Sequence, residues 1–378
     1  MLFTTPRLGA QEEHALGQVE EVKDRLKTRL FEPRRWTGSL RKLSLARAIR
    51  GSNTIEGYTA DLDDAAAIVL NEAPISANEA TKLALQGYRD AMTYVLQLAD
   101  DPEFSYGPHI IKSLHFMMLR HDLSQRPGLW RTGTTIIRDD ETGDVVYEGA
   151  DVDLVPELID ELAAFLNSED EPDLVSAAMA HLNLVMIHPF RDGNGRMARC
   201  LQSLVLAREG TLYPPFMSIE EYLGRNTRAY CDILEEVGQG AYHPENDAMP
   251  WVRFAITAHW RQATQMHKRI VETELLWGEV EEVITRRGLN GRTVVAVADA
   301  AWGLKVRNAT YRAFHDDSDT GITENTASRD LRSLVDAGLL KPHGQKRGRF
   351  YTAGDQVVAI RRKVLSGDEW DESDPFGR

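Results

Sequence analysis

His188-Pro189-Phe190-Arg191-Asp192-Gly193-Asn194-Gly195-Arg196-Met197-Ala198-Arg199 is the stretch around which this 378-residue chain is organised. A helix is expected to arrive at it. From Asp173 to Ile187 the apolar residues Leu174, Val175, Ala178, Leu182 and Val185 recur at helical spacing, and Pro189 cannot continue that helix. A second helix is expected to leave, from about Arg196 through Leu206. The loop between them carries two glycines and an Asn, residues that tolerate left-handed backbone and let amides converge. Amides at a helix N-terminus form a ready site for an anion. Arg196 and Arg199, three apart, share a face of the first turn and suit forked contacts with phosphate. Asp192 can hold a divalent cation that bridges phosphates, and His188 can accept a proton near neutral pH. Taken singly, a His before a Pro is an ordinary helix end and Gly-Asn-Gly an ordinary turn. Together they read as a nucleotide phosphate site.

The whole string resembles the Fic-family signature, His-Pro-Phe-x-Asp/Glu-Gly-Asn-Gly-Arg with a second Arg three residues on, at every position. The resemblance implies a protein adenylyltransferase that moves AMP from ATP to a Tyr, Thr or Ser hydroxyl. It implies that His188 takes the hydroxyl proton and that Asp192 holds Mg²⁺ between the α- and β-phosphates. The amides of Gly193 to Gly195 and the Asn194 side chain would hold the transferring phosphate. Arg196 would steady the β-phosphate and Arg199 the γ-phosphate. Phe190 is expected to pack inward and fix the loop. His181 and His188 lie two turns apart on one face, but no third ligand follows at metal spacing, so no transition-metal site is expected.

A second string, Ser52-Asn53-Thr54-Ile55-Glu56-Gly57, reads locally as a short helix with Ser52 as N-cap and Gly57 as its left-handed stop. Beside the first motif it resembles the family's inhibitory motif, Ser/Thr-x-x-x-Glu-Gly/Asn, in the class where the inhibitory helix precedes the core. That resemblance sets Glu56 against Arg199, where a carboxylate takes the place of the γ-phosphate. It also admits a reverse activity, removal of AMP, with Glu56 orienting a water.

Charge and composition narrow the class. The net charge of −14 argues against a whole-chain binder of nucleic acid or anionic membrane. Two cysteines, Cys200 and Cys231, are too few for a disulfide framework. No signal-peptide core and no membrane-length apolar run is present, so the cytoplasm is the expected compartment.

Along the chain, helices are expected at 11–30, 39–49, 61–72, 77–98, 106–123, 155–167, 220–237 and 249–276. Pro127-Gly128 breaks the chain, and Thr134–Ile137 and Val145–Tyr147 flank a polar turn, which predicts a β-hairpin. By resemblance this is the flap that holds a target segment as an added strand. Arg138-Asp139 and Glu148-Gly149-Ala150 depart from the family's usual continuation, so target choice can differ. Tyr230 resembles an aromatic lining the nucleobase pocket, although Cys231 replaces the second aromatic; Tyr230 read alone is equally a core residue. From about Asn290 the balance reverses: residues 289–364 hold 13 Lys and Arg against 8 Asp and Glu. Helices at 293–302, 307–314 and 323–337, then two short strands around a basic turn, form a winged helix-turn-helix pattern. Two readings stand for it, a DNA-facing surface through Arg329, Arg332 and Lys346-Arg347, or a docking and dimerisation module.

The expected fold is therefore mainly α, a Fic-type helical core with a β-hairpin flap followed by a small winged-helix α+β domain. The expected division is 1–100 with the inhibitory helix at about 52–57, 101–285 with the flap at 132–148, 286–364, and an acidic, loose tail at 365–378. Expected partners are a hydroxyl-bearing protein on the flap, the chain itself as substrate, a second copy, and duplex DNA; no membrane is expected. The rival reading is a DNA-binding regulator in which the held nucleotide is a signal.

Overall fold

In the computed structural model the described residues are 1–31, 34–138, 142–168, 171–208, 210, 214–316, 321–365 and 374–377. In chain order the helices before the hairpin are α1 (Ala10–Leu30), α2 (Thr37–Ile55), α3 (Leu62–Val69), α4 (Glu79–Ala99) and α5 (Pro108–Leu119). The hairpin strands are β1 (Ile136–Arg138) and β2 (Val145–Glu148). Next come α6 (Val155–Ser168), α7 (Asp173–Ile187), α8 (Asn194–Arg208), α9 (Pro214–Met217), α10 (Glu220–Arg225), α11 (Thr227–Gly238) and α12 (Met249–Arg286). The last part is α13 (Val294–Ala301), α14 (Asn308–Asp316), α15 (Glu324–Asp336), β3 (Leu340–His343), β4 (Phe350–Ala353) and α16 (Asp355–Leu365). The molecule is mainly helical with two small antiparallel sheets, β1–β2 and β3–β4. No described helix is long and apolar enough to cross a membrane.

The pair α7–α8 sits at the centre. Nearly every α7 side chain from Leu174 to Ile187 is buried, which is the mark of a helix enclosed on all sides. Helices α4, α5, α6 and α12 pack around the pair. Leu114, Leu162, Leu182, Leu201 and Trp251 belong to this one core.

Helix α2 reaches the pair through a close crossing with α10. A Cβ on Gly51 would lie 2.3 Å from the Glu220 carbonyl oxygen, and one on Gly224 would lie 2.7 Å from the Gly51 Cα. Only glycine at both positions lets these backbones approach so closely. The crossing holds the last turn of α2 against α8.

A second core joins the C-terminal elements to α1 and α2. Trp277, Val280 and Ile284 on α12 meet Val294, Leu331 and Ile360, together with Leu26, Trp36 and Leu40. Lys42 on α2 pairs with Asp299 on α13 at 2.6 Å, both largely buried.

Several elements differ from expectation. Ser52 is not an N-cap: α2 runs from Thr37 through Ile55, Ser52 lies inside it, and Glu56 is its C-cap. Gly57 does adopt the left-handed stop, at φ 83°. The helix expected at 220–237 breaks at Asn226. Helix α12 extends to Arg286 because Trp277, Val280 and Ile284 have a second core to enter. Helix α16 was not anticipated. In the expected loose tail, residues 374–377 rest on the core, with the Phe376 ring 5.8 Å from the Arg253 guanidinium. Asp139 and the rest of 139–141, the Arg347 side chain, and 366–373 of the tail lie outside the described residues.

Candidate active site

Helix α7 ends at His188, which takes a left-handed conformation (φ 55°, ψ 56°) while its amide donates to the Leu184 carbonyl at 3.1 Å. Pro189, lacking an N–H, stops the helix there. The imidazole Nδ1 lies 3.1 Å from the Val185 carbonyl. A carbonyl can only accept, so Nδ1 carries the proton and Nε2 keeps its lone pair. Burial lowers the His188 pKa to about 4, so the ring is neutral at pH 7. A neutral imidazole with Nε2 unprotonated is a competent proton acceptor.

The loop is fastened from beneath. Phe190 is fully buried and stacks on His115, centroids 3.6 Å apart and planes within 2°. His115 Nδ1 accepts from the Gly128 amide at 2.9 Å, so Nε2 donates to the Asp192 carbonyl at 2.8 Å. The Asn194 side chain was expected to reach phosphate. Instead it turns back, accepting from the Phe190 amide at 2.8 Å and donating to its carbonyl at 2.9 Å. At 2% exposed, Asn194 is a staple of the loop. Asp192 stays at the mouth, its side chain 42% exposed, with Oδ1 accepting from the Gly193 amide at 2.7 Å.

Helix α8 begins at Asn194, so the amides of Asn194, Gly195 and Arg196 have no carbonyl one turn back. Arg196 and Arg199 are each 1% exposed. Among the described residues, Arg196 Nε and Nη1 have no hydrogen-bond partner. A buried guanidinium with two unfilled donors is costly unless an anion completes it.

Arg199 is held on three sides. Nε donates to Ser52 Oγ at 2.8 Å and Nη2 to the Ser52 carbonyl at 3.0 Å. Nη2 also donates to Glu56 Oε1 at 2.7 Å, and the other carboxylate oxygen lies 3.8 Å from Arg196 Nε. Burial alone would raise the Glu56 pKa; Arg199 and then Arg196 outweigh it and hold the carboxyl below its ordinary range. Burial likewise works against the Arg199 charge, and Glu56 more than offsets it. Gly195 makes room for this contact, since a Cβ there would lie 2.7 Å from Glu56 Oε1. The structure thus brings His188, Asp192, the Gly193–Gly195 turn, Arg196, Arg199 and Glu56 together.

Tyr230 stands behind the arginines. It is 3% exposed, its hydroxyl lies 2.8 Å from His181 Nε2, and Arg199 Nη1 donates to it at 3.5 Å. His181 Nδ1 meets Gln202 Oε1 at 2.5 Å. His181 therefore belongs to a buried network, and no group of three or more candidate metal ligands occurs among the described residues.

The hairpin is tied to the same loop. Tyr147 Oη donates to the Met186 carbonyl at 2.8 Å. Arg131 is 6% exposed and donates to the His188 carbonyl at 2.8 Å, the Gly133 carbonyl at 2.8 Å and the Ala150 carbonyl. The outer edge of β1 is unpaired among the described residues. Sequence reasoning missed His115 and Arg131, because the contact that ties each to the motif loop, with the Asp192 and His188 carbonyls, spans more than fifty positions.

Residues 106–206 match the model of the Fic/DOC family. The chain is 26% identical over 266 residues to a protein adenylyltransferase Fic of Nematostella vectensis, covering 65% of this chain and 56% of that one. It is 40% identical over 136 residues to protein adenylyltransferase fic-1 of Caenorhabditis elegans, covering 34% of this chain and 24% of that one. The chain thus spans only part of the length of these relatives. Its fold is similar to that of a Fic family protein from Desulfovibrio desulfuricans, with a TM-score of 0.59, 18% identity, and coverage of 93% of this chain and 98% of that one. Fic-1 of C. elegans gives a TM-score of 0.52 at 22% identity over 68% of this chain and 72% of that one. The motif, the family match over residues 106–206 and the shared fold together show that this chain carries a Fic domain.

Proposed function

We propose that the chain is a protein adenylyltransferase, moving AMP from ATP to a Tyr, Thr or Ser hydroxyl of a protein, itself included, and restrained by Glu56. The observation that carries this reading is the buried Arg196–Arg199 pair at the α8 N-terminus, with unfilled donors on Arg196 and a carboxylate lodged on Arg199. His188 Nε2 takes the hydroxyl proton, the oxygen attacks the α-phosphorus, and pyrophosphate leaves. The α8 amides hold the α-phosphate, Arg196 the β-phosphate and Arg199 the γ-phosphate, so positioning and charge stabilisation do most of the catalysis. Asp192 fits Mg²⁺: its carboxylate is a hard oxygen donor at the mouth, and a single carboxylate with substrate phosphates is a usual way to hold that ion. The ion would supply charge neutralisation between the phosphates. Tyr230 reads better as the brace of Arg199 than as a nucleobase contact, since its hydroxyl is engaged there. The free β1 edge suits an added target strand.

His188→Ala should abolish label transfer from α-labelled ATP while ATP binding persists, because the imidazole moves a proton and holds no phosphate. Transfer at a near wild-type rate would overturn the assignment of the base.

A second reading concerns the C-terminal part. Arg307, Arg312, Arg332, Lys346 and Arg349 line one cavity of about 1000 Å³ between α14, α15 and the β3–β4 hairpin. A winged-helix contact with duplex DNA through Arg329, Arg332 and Lys346 would weaken steeply with salt. The 378-residue chain with no duplex affinity at low salt would leave the docking role.

A further inference from the structure

The proposed transferase reading leaves the choice of target open, and the flap side of the loop bears on it. A cleft of about 240 Å³ runs along Thr132–Thr135, the approach to β1, and is closed by Leu129, Arg126 and Arg191. Arg191 is the variable residue of the motif, three positions after His188. Both arginines are exposed. Arg126 donates to Thr132 Oγ1 at 3.2 Å and Arg191 to the Ser124 carbonyl at 3.2 Å, and neither pairs with a carboxylate among the described residues. The third arginine of the lining, Arg131, turns its guanidinium inward onto carbonyls. No Asp or Glu lines the cleft.

This is unusual ground in a chain of net charge −14. Arg126 also occupies a left-handed position, φ 52°, where glycine or Asn would sit with less strain. An Arg kept there places a cation at the rim of the cleft. Exposed Leu129 beside it adds an apolar wall at 52% exposure. A strand added to the free β1 edge would continue along Thr132–Thr135 and lay one of its neighbouring side chains into this cleft.

We infer that the cleft selects target segments carrying an Asp or Glu within a few residues of the accepting hydroxyl. The carboxylate meets Arg126 and Arg191, and Leu129 covers its methylenes. This rests on the transferase reading. It makes Arg126 and Arg191 determinants of target choice rather than parts of the phosphate machinery, which lies on α8.

The test uses the full chain carrying Glu56→Gly, α-labelled ATP with Mg²⁺, and acceptor peptides that share one hydroxyl and differ only in a flanking Glu, Gln or Lys. The Glu peptide should show a KM about tenfold below that of the Gln peptide, with the Lys peptide weaker still and kcat alike within about twofold. The advantage should shrink as salt rises, since both arginines are solvent-accessible. Arg126→Glu with Arg191→Glu should reverse the order toward the Lys peptide while ATP affinity stays unchanged. Equal KM for the three peptides, with transfer proceeding, overturns the acid-selecting cleft and leaves the transferase reading intact. No transfer to any peptide or to the chain itself overturns that reading and this inference with it.

Discussion

Replacing Glu56 with Gly removes the one carboxylate that meets both motif arginines among the described residues. Its 2.7 Å contact to Arg199 joins a guanidinium 1% exposed to a carboxylate side chain 20% exposed. A charge-assisted hydrogen bond contributes about 1.5–3 kcal/mol net, and partial exposure of the carboxylate favours the lower end. The second approach, 3.8 Å to Arg196 Nε, is too long for a hydrogen bond and adds little. Once Glu56 is gone, Arg199 keeps Ser52 Oγ, the Ser52 carbonyl and Tyr230 Oη, so the guanidinium stays in place. If at least ~1.4 kcal/mol of the contact opposes correct seating of the γ-phosphate, its release raises the rate about tenfold. The assay is the initial rate of label incorporation from α-labelled ATP at saturating Mg²⁺, with ATP affinity measured separately. Glu56→Gln keeps the shape and loses the charge, so its rate should fall between wild type and Glu56→Gly. Arg199→Ala should not mimic the release, because on the proposed reading it removes the inhibitory and the phosphate contacts together, and the double variant should behave as Arg199→Ala alone. An unchanged rate for Glu56→Gly under matched Mg²⁺ would leave Glu56 as only the C-cap of α2.

Three further outcomes follow from the packing. Gly51→Ala sets a methyl 2.3 Å from the Glu220 carbonyl oxygen, so α2 and α10 must part; the expected loss is about 1–3 kcal/mol by denaturant unfolding, with partial release of Glu56 seen as faster transfer. Wild-type stability in that variant would refute the close crossing. His115→Phe keeps the stack on Phe190 and loses the bonds to the Gly128 amide and the Asp192 carbonyl; a cost of about 1–3 kcal/mol and slower transfer at unchanged ATP affinity are expected, and an unaltered rate would show that the loop needs no such support. Burial lowers the pKa of His115 and His188 to about 4 and of His181 to about 3, from an ordinary 6.5. The unfolded chain therefore takes up protons that the folded chain refuses between about pH 6.5 and 4, and stability falls with pH across that window by up to about 1.4 kcal/mol per pH unit per histidine. Denaturant midpoints that are flat from pH 7 to 5 would contradict the buried neutral histidines.

The sequence alone determined what is local. The helix–loop–helix around His188–Arg199 needs only a terminator at Pro189, glycines in the turn and periodic apolar residues on both sides, all written within about thirty positions. The hairpin at Val145–Tyr147 was legible for the same reason. The family likeness named Glu56 as the partner of Arg199, but nothing local in Ser52–Gly57 does so, and the local pattern misread Ser52 as a helix start. What joins residues 143 positions apart is the glycine-to-glycine crossing of α2 and α10, a property of two surfaces and of neither segment.

Other assignments also waited for the tertiary structure. Asn194 has the right place for a phosphate ligand, yet its amide group is consumed by the Phe190 backbone once the loop closes. His181 and His188 share a helical face by spacing, but the left-handed turn at His188 ends the helix while His181 sinks into a network with Gln202 and Tyr230. His115 and Arg131 carry no local signal, because each works on a carbonyl that only folding brings within reach. Short-range periodicity and turn chemistry are encoded residue by residue; which buried donor finds which acceptor is decided by packing, where an unpartnered polar group costs more than any local preference can return.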